Sequence, residues 1–382
     1  MTAAFDDELR ARRLLITAGA GGVGKTTTAA ALAVRAALLG QKTAVLTIDP
    51  ARRLADALGL AELTGELRRV EPARFTDAGL ADARGELWAM MLDVKTTGDQ
   101  MVRRFAPDER TAREILDNSY YQYFSTSLAG AQEYVAVEQV RALLEEGDFD
   151  LVVLDTPPAA HALDFLDAPD RLLAGLASKP VQMLRSGGEG DGLTARLARG
   201  GRGLVLKGIN KLTGGPFIEE LTRFLAVFGT ILDALHASGE AVARRLRSDD
   251  SRFYLVTSPT RSNVDEAVSF RAQLGDRGFP LGGVIVNRAH PWIEPVTDDP
   301  ATLAVALAAD GLADVPDDRR RALAARMVAL LDRHDRFAAA DRDAVARLRE
   351  ATDRPVWTIP LFGTELRDLA GLHAIACALA PG

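Results

Sequence analysis

The sequence predicts an α/β fold: a mostly parallel sheet covered by helices on both faces, with an inserted helical subdomain. Three observations predict it. Short, continuous apolar runs alternate with helical stretches, as strands buried on both faces do. A glycine-rich turn, Gly19-Ala20-Gly21-Gly22-Val23-Gly24-Lys25-Thr26, joins the first apolar run to an alanine-rich helix. Polar residues (Asp49, Asp155 and Asn287) close three of the runs, at the carboxyl ends of strands where open parallel sheets bind ligands.

The elements follow in order. Leu14-Leu15-Ile16 is the first strand, and Thr27 to Leu39, without Pro or Gly, is the first helix. Lys42 to Ile48 reads as a strand ending at Asp49-Pro50, with a helix starting near Ala51-Arg52-Arg53-Leu54. Residues 61–85 look loop-rich, and Leu87 to Leu92 is a third strand ending at Asp93. Residues 95–146 are mostly helical, with breaks at Pro107 and Gly130, and Leu151 to Leu154 is the next buried strand. Residues 169–248 are helical apart from glycine clusters at 186–192 and 200–203, which read as loops or linkers. Phe253 to Thr257 and Val284 to Asn287 are strands around a helix over 263–276. Residues 297–352 are again helical, Pro355 to Ile359 is the last strand, and Glu365 to Leu379 the last helix. The expected organisation is one domain over 1–382, with helical insertions at 95–146, 169–248 and 297–352.

Composition bounds the function. With 382 residues and 47% hydrophobic content, the chain has ample core. Its net charge of −7, with acids and bases intermixed, argues against nucleic-acid binding, which needs a concentrated basic patch. No stretch is apolar enough to span a bilayer, and the acidic start lacks a signal peptide's basic and apolar regions. The expectation is a soluble, cytoplasmic protein. Cys377 is the sole cysteine, which excludes internal disulfides and Cys-pair zinc sites; its apolar surroundings predict a core position.

Residues 19–26 fit the phosphate-cradling pattern G-x-x-x-x-G-K-[ST]. Glycines let backbone N–H groups converge on an anion, and the following helix adds its positive N-terminal end. Gly21, Gly22, Val23, Gly24, Thr26 and Thr27 are candidate phosphate contacts. Lys25 would reach the outer phosphates, and the Thr26 hydroxyl would ligate Mg²⁺. The bland alternative is a strand–helix turn that binds nothing. Asp155, at the end of a buried strand, has the position of a carboxylate that supports Mg²⁺; alone, it reads equally as a helix cap. Asp49 could polarise an attacking water or cap the helix after Pro50, and spacing leaves both open.

Taken together, the P-loop, Thr47-Ile48-Asp49-Pro50-Ala51, Asp155-Thr156-Pro157-Pro158-Ala159-Ala160-His161, Val286-Asn287-Arg288 and Ile359-Pro360-Leu361 resemble the ArsA-type ATPases. These include the arsenite-pump and tail-anchored-protein targeting ATPases, within the deviant-Walker group that also holds MinD and ParA. The resemblance implies a P-loop NTPase fold with ATP and Mg²⁺ as ligands. It makes Asp49 the switch aspartate that positions water, and Lys25, Asp49 and Asp155 the catalytic set. The metal set is Thr26, Asp49 and Asp155. Asp155 to His161 match a second switch, departing from the family at Pro157, Ala159 and Ala160. Asn287 matches an adenine-contacting asparagine with Arg288 beside it, and Pro360, Leu361 and Phe362 match an adenine loop.

Three departures from the family stand out. Ala20 occupies the place of a second P-loop lysine, which in the family's closed dimer reaches the partner's nucleotide. The targeting ATPase's Cys-x-x-Cys zinc pair is absent, and so are the arsenite pump's metalloid-binding cysteines. The helical insertions stand where the family carries a client or effector subdomain. Met90, Met91, Met101, Met183, Phe217, Leu221, Phe224, Leu225, Phe228 and Leu232 could line an apolar groove there or be ordinary core. The expected protein is an ATP- and ADP-binding ATPase that switches this subdomain. It would act as a homodimer or as a heterodimer with a paralogue, and a membrane-protein client is possible. The alternative is a targeting or assembly factor with weak intrinsic hydrolysis. A MinD- or ParA-like role is disfavoured, because the last helix lacks a basic amphipathic face.

Overall fold

The structure is a computed structural model describing residues 2–48, 53–81, 83–119, 121–122, 131–157, 167, 170, 171, 174, 224, 227–294, 297–364, 366 and 368–379. Eight strands form one sheet. They are β1 (Leu14–Ala18), β2 (Lys42–Thr47), β3 (Arg68–Arg69), β4 (Glu86–Met91), β5 (Leu151–Asp155), β6 (Ser251–Thr257), β7 (Leu281–Ala289) and β8 (Val356–Pro360). Their spatial order is β3-β4-β2-β5-β1-β6-β7-β8. All neighbours pair in parallel except the antiparallel β3–β4 edge.

Every residue of β1 and β5 is buried, so their continuous apolar sequences serve two cores at once. Leu14 and Ile16 of β1, with Val152 and Leu154 of β5, face one side. Leu15, Leu151 and Val153 face the other. The first core is closed by α7 (Ala131–Glu146), α8 (Leu232–Leu246), α9 (Arg261–Asp276) and the C-terminal part of α11 (Asp317–Ala351). The second is closed by α1 (Thr2–Ala11), α2 (Lys25–Leu38), α3 (Arg53–Leu58) and α12 (Leu369–Leu379). Helix α2 buries Ala29, Ala30, Ala31, Ala33, Ala36 and Ala37. These small side chains suit a helix held between the sheet and α12, which packs on it.

A third, smaller core joins α5 (Val94–Phe105), α6 (Glu109–Leu116), α7 and α8. It contains Phe224 and Leu232, with Met101 and Phe228 packed at its margin. Met90 is buried under the sheet. Of the described members of the expected apolar groove, Met90, Phe224 and Leu232 are thus core and Met91, Met101 and Phe228 pack half-buried against it; Met183, Phe217, Leu221 and Leu225 lie outside the described residues. Beyond β7, α10 (Pro300–Leu307) packs on α11, a 35-residue helix.

Several expectations change. Helix α1 is real, because Phe5 and Leu9 enter the second core and Asp6 pairs with Arg35 of α2 at 2.7 Å. The loop-rich 61–85 stretch holds β3 and the short α4 (Pro72–Asp77). Cys377 is exposed rather than core. It sits one position past Ala376 on the outward side of α12, with Sγ 3.4 Å from His373 Nε2. Among the described residues no helix is long and apolar enough to cross a membrane.

Candidate functional site: a phosphate-binding loop and its carboxylate

Strand β1 ends at Ala18, and the chain turns through residues 19–24 into α2. Two glycines explain how closely the turn lies on the sheet. A Cβ on Gly19 would sit 2.0 Å from the Val256 carbonyl oxygen of β6. Gly24, the N-cap of α2, has φ 97°, and a Cβ there would sit 2.2 Å from Asn287 Nδ2. Only glycine allows both the left-handed backbone and that approach. Gly21 and Gly22 are exposed at the tip, while Val23 is buried.

The Lys25 side chain is buried, and its Nζ donates to the Ala20 carbonyl oxygen at 2.9 Å. The ammonium is thereby curled over the turn that would receive phosphate. Thr26, in the first turn of α2, donates its hydroxyl to Asp155 Oδ2 at 2.6 Å. Thr47, the last residue of β2, donates to the same oxygen at 3.0 Å. Parallel register makes this possible: Asp155 of β5 stands opposite Thr17 of β1 and Thr47 of β2. The Asp155 side is fixed further by Thr156, whose hydroxyl donates to the Thr17 carbonyl at 2.8 Å. A hydroxyl and a carboxylate in contact are hard oxygen donors, the type that Mg²⁺ takes beside nucleotide phosphates.

Asn287 of β7 is also buried, and its Nδ2 donates to the Val23 carbonyl at 2.8 Å. The asparagine expected at the adenine therefore also clamps the phosphate loop. Arg288 is exposed with φ 62°, a left-handed backbone rare outside glycine, where the β7–β8 register shifts. Pro360 stands opposite Ala289, and the Leu361 N–H donates to the Ala289 carbonyl at 2.8 Å. Leu361 is exposed and Phe362 packs on the second core. Residues 287–289 and 360–362 thus lie side by side, joined to the P-loop through Asn287. Thr27 is half-buried in α2.

Asp49, with Pro50 and Ala51, lies outside the described residues, as do Pro158 to His161. Sequence reading missed one member of the site, Thr47, and one contact between members that it had named. Thr47 becomes visible only when β2 is set beside β5, and the Asn287–Val23 bond joins positions 264 apart in the chain. Ala20 forms a small apolar cluster with Val23 and Val256.

The fold and site define a P-loop nucleotide-binding protein with its loop at the carboxyl end of the parallel sheet. Residues 12–186 match the family model described as "Anion-transporting ATPase". The chain is similar to ATPase GET3C of Arabidopsis thaliana, 26% identical over 301 residues, covering 74% of this chain and 68% of that protein. It is similar to ATPase ARSA1 of Chlamydomonas reinhardtii at 28% over 295 residues, covering 72% and 34%. ATPase get3 of Aspergillus terreus is 30% identical over 165 residues, covering 43% and 45%. The matched regions thus span from a third to about two thirds of these relatives' own lengths. Over these matched stretches the chain is similar to the ArsA-type ATPases.

Proposed function

We propose that the chain binds ATP with Mg²⁺ at the P-loop and hydrolyses it, and that the nucleotide state repositions the segments 95–146 and 169–248, which the sequence predicts to be helical insertions. The observation that carries this reading is the Thr26–Asp155 contact at the start of α2, beneath a glycine turn. Turn amides and the α2 N-terminus would hold the phosphates, and Lys25 would exchange its bond to Ala20 for one to phosphate oxygen. Bound Mg²⁺ would neutralise charge across the phosphates, held by Thr26 and Asp155. Asp49, two residues past Thr47, would orient the attacking water. Thr47 and Thr26 share one Asp155 oxygen, so movement at the phosphate loop is felt at the end of β2. Asn287 with Pro360 to Phe362 would receive the adenine. Catalysis is then mainly positioning and charge stabilisation.

The test is Asp49→Asn. It should retain ATP affinity and lose roughly a hundredfold or more in turnover, as loss of a water-orienting group does. Unchanged turnover with intact binding sinks the role of Asp49.

One observation favours a second reading, a targeting or assembly factor with weak hydrolysis of its own. Ala20 is buried against Val23 and Val256, so this position offers no cation to a partner's nucleotide. Working as a heterodimer with a lysine-bearing paralogue would supply it, and a membrane-protein client fits the same resemblance. Turnover measured against protein concentration, for wild type and Ala20→Lys, decides. A high, concentration-independent wild-type rate rules this reading out.

A further inference from the structure

Helix α11 has one face with two different fates. Toward its C-terminus, Ala344, Val345 and Leu348 on this face are buried in the first core. Toward its N-terminus the same face continues through Leu323, Met327, Leu330, His334 and Phe337. Their spacing of four, three, four and three residues is the seam repeat of paired helices. Leu323, Met327, Leu330 and Phe337 are 40%, 36%, 59% and 53% exposed. At a rise of about 1.5 Å per residue this uncovered seam is about 21 Å long.

The seam's far end is built. His334 Nε2 lies 2.8 Å from the Pro291 carbonyl oxygen, and the His290 ring stacks on Phe337 with centroids 5.3 Å apart. Asp341 holds His290 through both its backbone N–H and its Nδ1, each at 2.7 Å. Trp292 and Ile293 follow, also exposed, with the Arg342 guanidinium 4.4 Å from the Trp292 ring centroid.

The two flanks differ. On one, Ala324 and Val328 pack against Leu303, Ala304 and Leu307 of α10. On the other, Arg319, Arg326 and Arg333 recur at intervals of seven, so they form a row beside the apolar stripe. All three are exposed, and none forms an ion pair among the described residues. A basic row flanking a heptad seam selects its partner by charge.

We infer that this face of α11 docks an amphipathic helix of another protein, one that carries an apolar stripe flanked by Asp or Glu. A second copy of the chain is disfavoured, since an antiparallel pairing of the seams sets arginine against arginine. The chain's own segment 185–211 is disfavoured for the same reason. It carries Arg185, Arg196, Arg199, Arg202, Lys207 and Lys211 against only Glu189 and Asp191. The four-three repeat favours a helix over a flat lipid surface.

The test uses the full chain and two labelled three-heptad synthetic helices, both with leucine along the seam. One carries glutamate at the flanking positions and the other lysine. Fluorescence anisotropy should show the acidic peptide binding at least about tenfold more tightly, with the difference shrinking as salt rises. The double variant Arg326→Glu, Arg333→Glu changes only exposed side chains and should invert the preference. Leu330→Asp should abolish binding while leaving the circular dichroism spectrum unchanged. Equal affinity for both peptides, or no binding of either, overturns the proposal. So does a preference that the double variant leaves in place. Two further outcomes also overturn it: tighter capture by phosphatidylglycerol vesicles than by the acidic peptide, and self-association that Leu330→Asp removes.

Discussion

Asn287→Ala tests the clamp between β7 and the phosphate loop. The wild-type amide donates to the Val23 carbonyl at 2.8 Å, and both residues are buried. Removing it loses a hydrogen bond with a net contribution of about 1 kcal/mol and leaves a buried carbonyl without that donor, which costs about 1 kcal/mol more. The expected destabilisation is about 2 kcal/mol. Were the loss felt mainly as local opening, exchange of the amides over residues 20–28 would rise about thirtyfold, since about 1.4 kcal/mol is a tenfold change. Asn287→Asp should be worse, because an acceptor then faces an acceptor. The assays are urea denaturation and hydrogen exchange read by mass spectrometry, with the Kd of a fluorescent ATP analogue as a third readout. Both variants should also weaken nucleotide binding, because the loop they release is the proposed phosphate cradle. If Asn287→Ala kept stability within about 0.3 kcal/mol and left loop exchange unchanged, the clamp would carry no energy and the reasoning would fail.

Other consequences are equally direct. Gly24→Ala adds a Cβ 2.2 Å from Asn287 Nδ2 at a backbone φ of 97°, so it should cost at least about 2 kcal/mol and disable ATP binding; a variant that binds normally contradicts the packing. Arg288→Gly relieves a left-handed backbone at φ 62°, and calorimetry should show stabilisation by about 1 kcal/mol. Asp93 caps α5, accepting from the Thr96 N–H at 3.0 Å, and that bond holds its carboxyl below the usual carboxylate range. A depressed folded-state value contributes stability above the unfolded-state pKa, near 3.9, that is lost as pH falls through the folded value. Asp93→Ala should therefore cost about 1 kcal/mol at neutral pH and progressively less below about pH 4. A cost that persists at the lowest pH studied would separate it from the carboxylate.

Much of this fold was legible because strands buried on both faces leave a plain mark. Leu151 to Leu154 and Leu14 to Ile16 are uninterrupted apolar runs, and a parallel sheet explains both. The glycine turn was legible because the P-loop pattern sets glycine at fixed places, and Gly24 has the left-handed backbone that such a pattern anticipates. Asp155 was legible as a strand end and Thr26 as its companion, but Thr47 was not: it meets Asp155 only through sheet register. Helix α1 escaped because Phe5 and Leu9 are too few apolar residues to declare a helix, although both are buried. The two-residue β3 is exposed and has no pattern to read. Cys377 was misplaced because α12 is apolar nearly all round, so composition did not reveal which face meets α2. The uncovered stretch of α11 was also hidden, since its seam continues, in the same repeat, a face that is core further along.

The central claim is that Lys25, Thr26 and Asp155 form one MgATP site. Calorimetric titration of ATP into the wild type and into Lys25→Ala and Asp155→Asn, with Mg²⁺ and with EDTA, tests it most directly. The account predicts saturable binding by the wild type, severe loss in Lys25→Ala, and Mg²⁺ dependence that disappears in Asp155→Asn. Equal ATP affinity in all three proteins, with or without Mg²⁺, would contradict it.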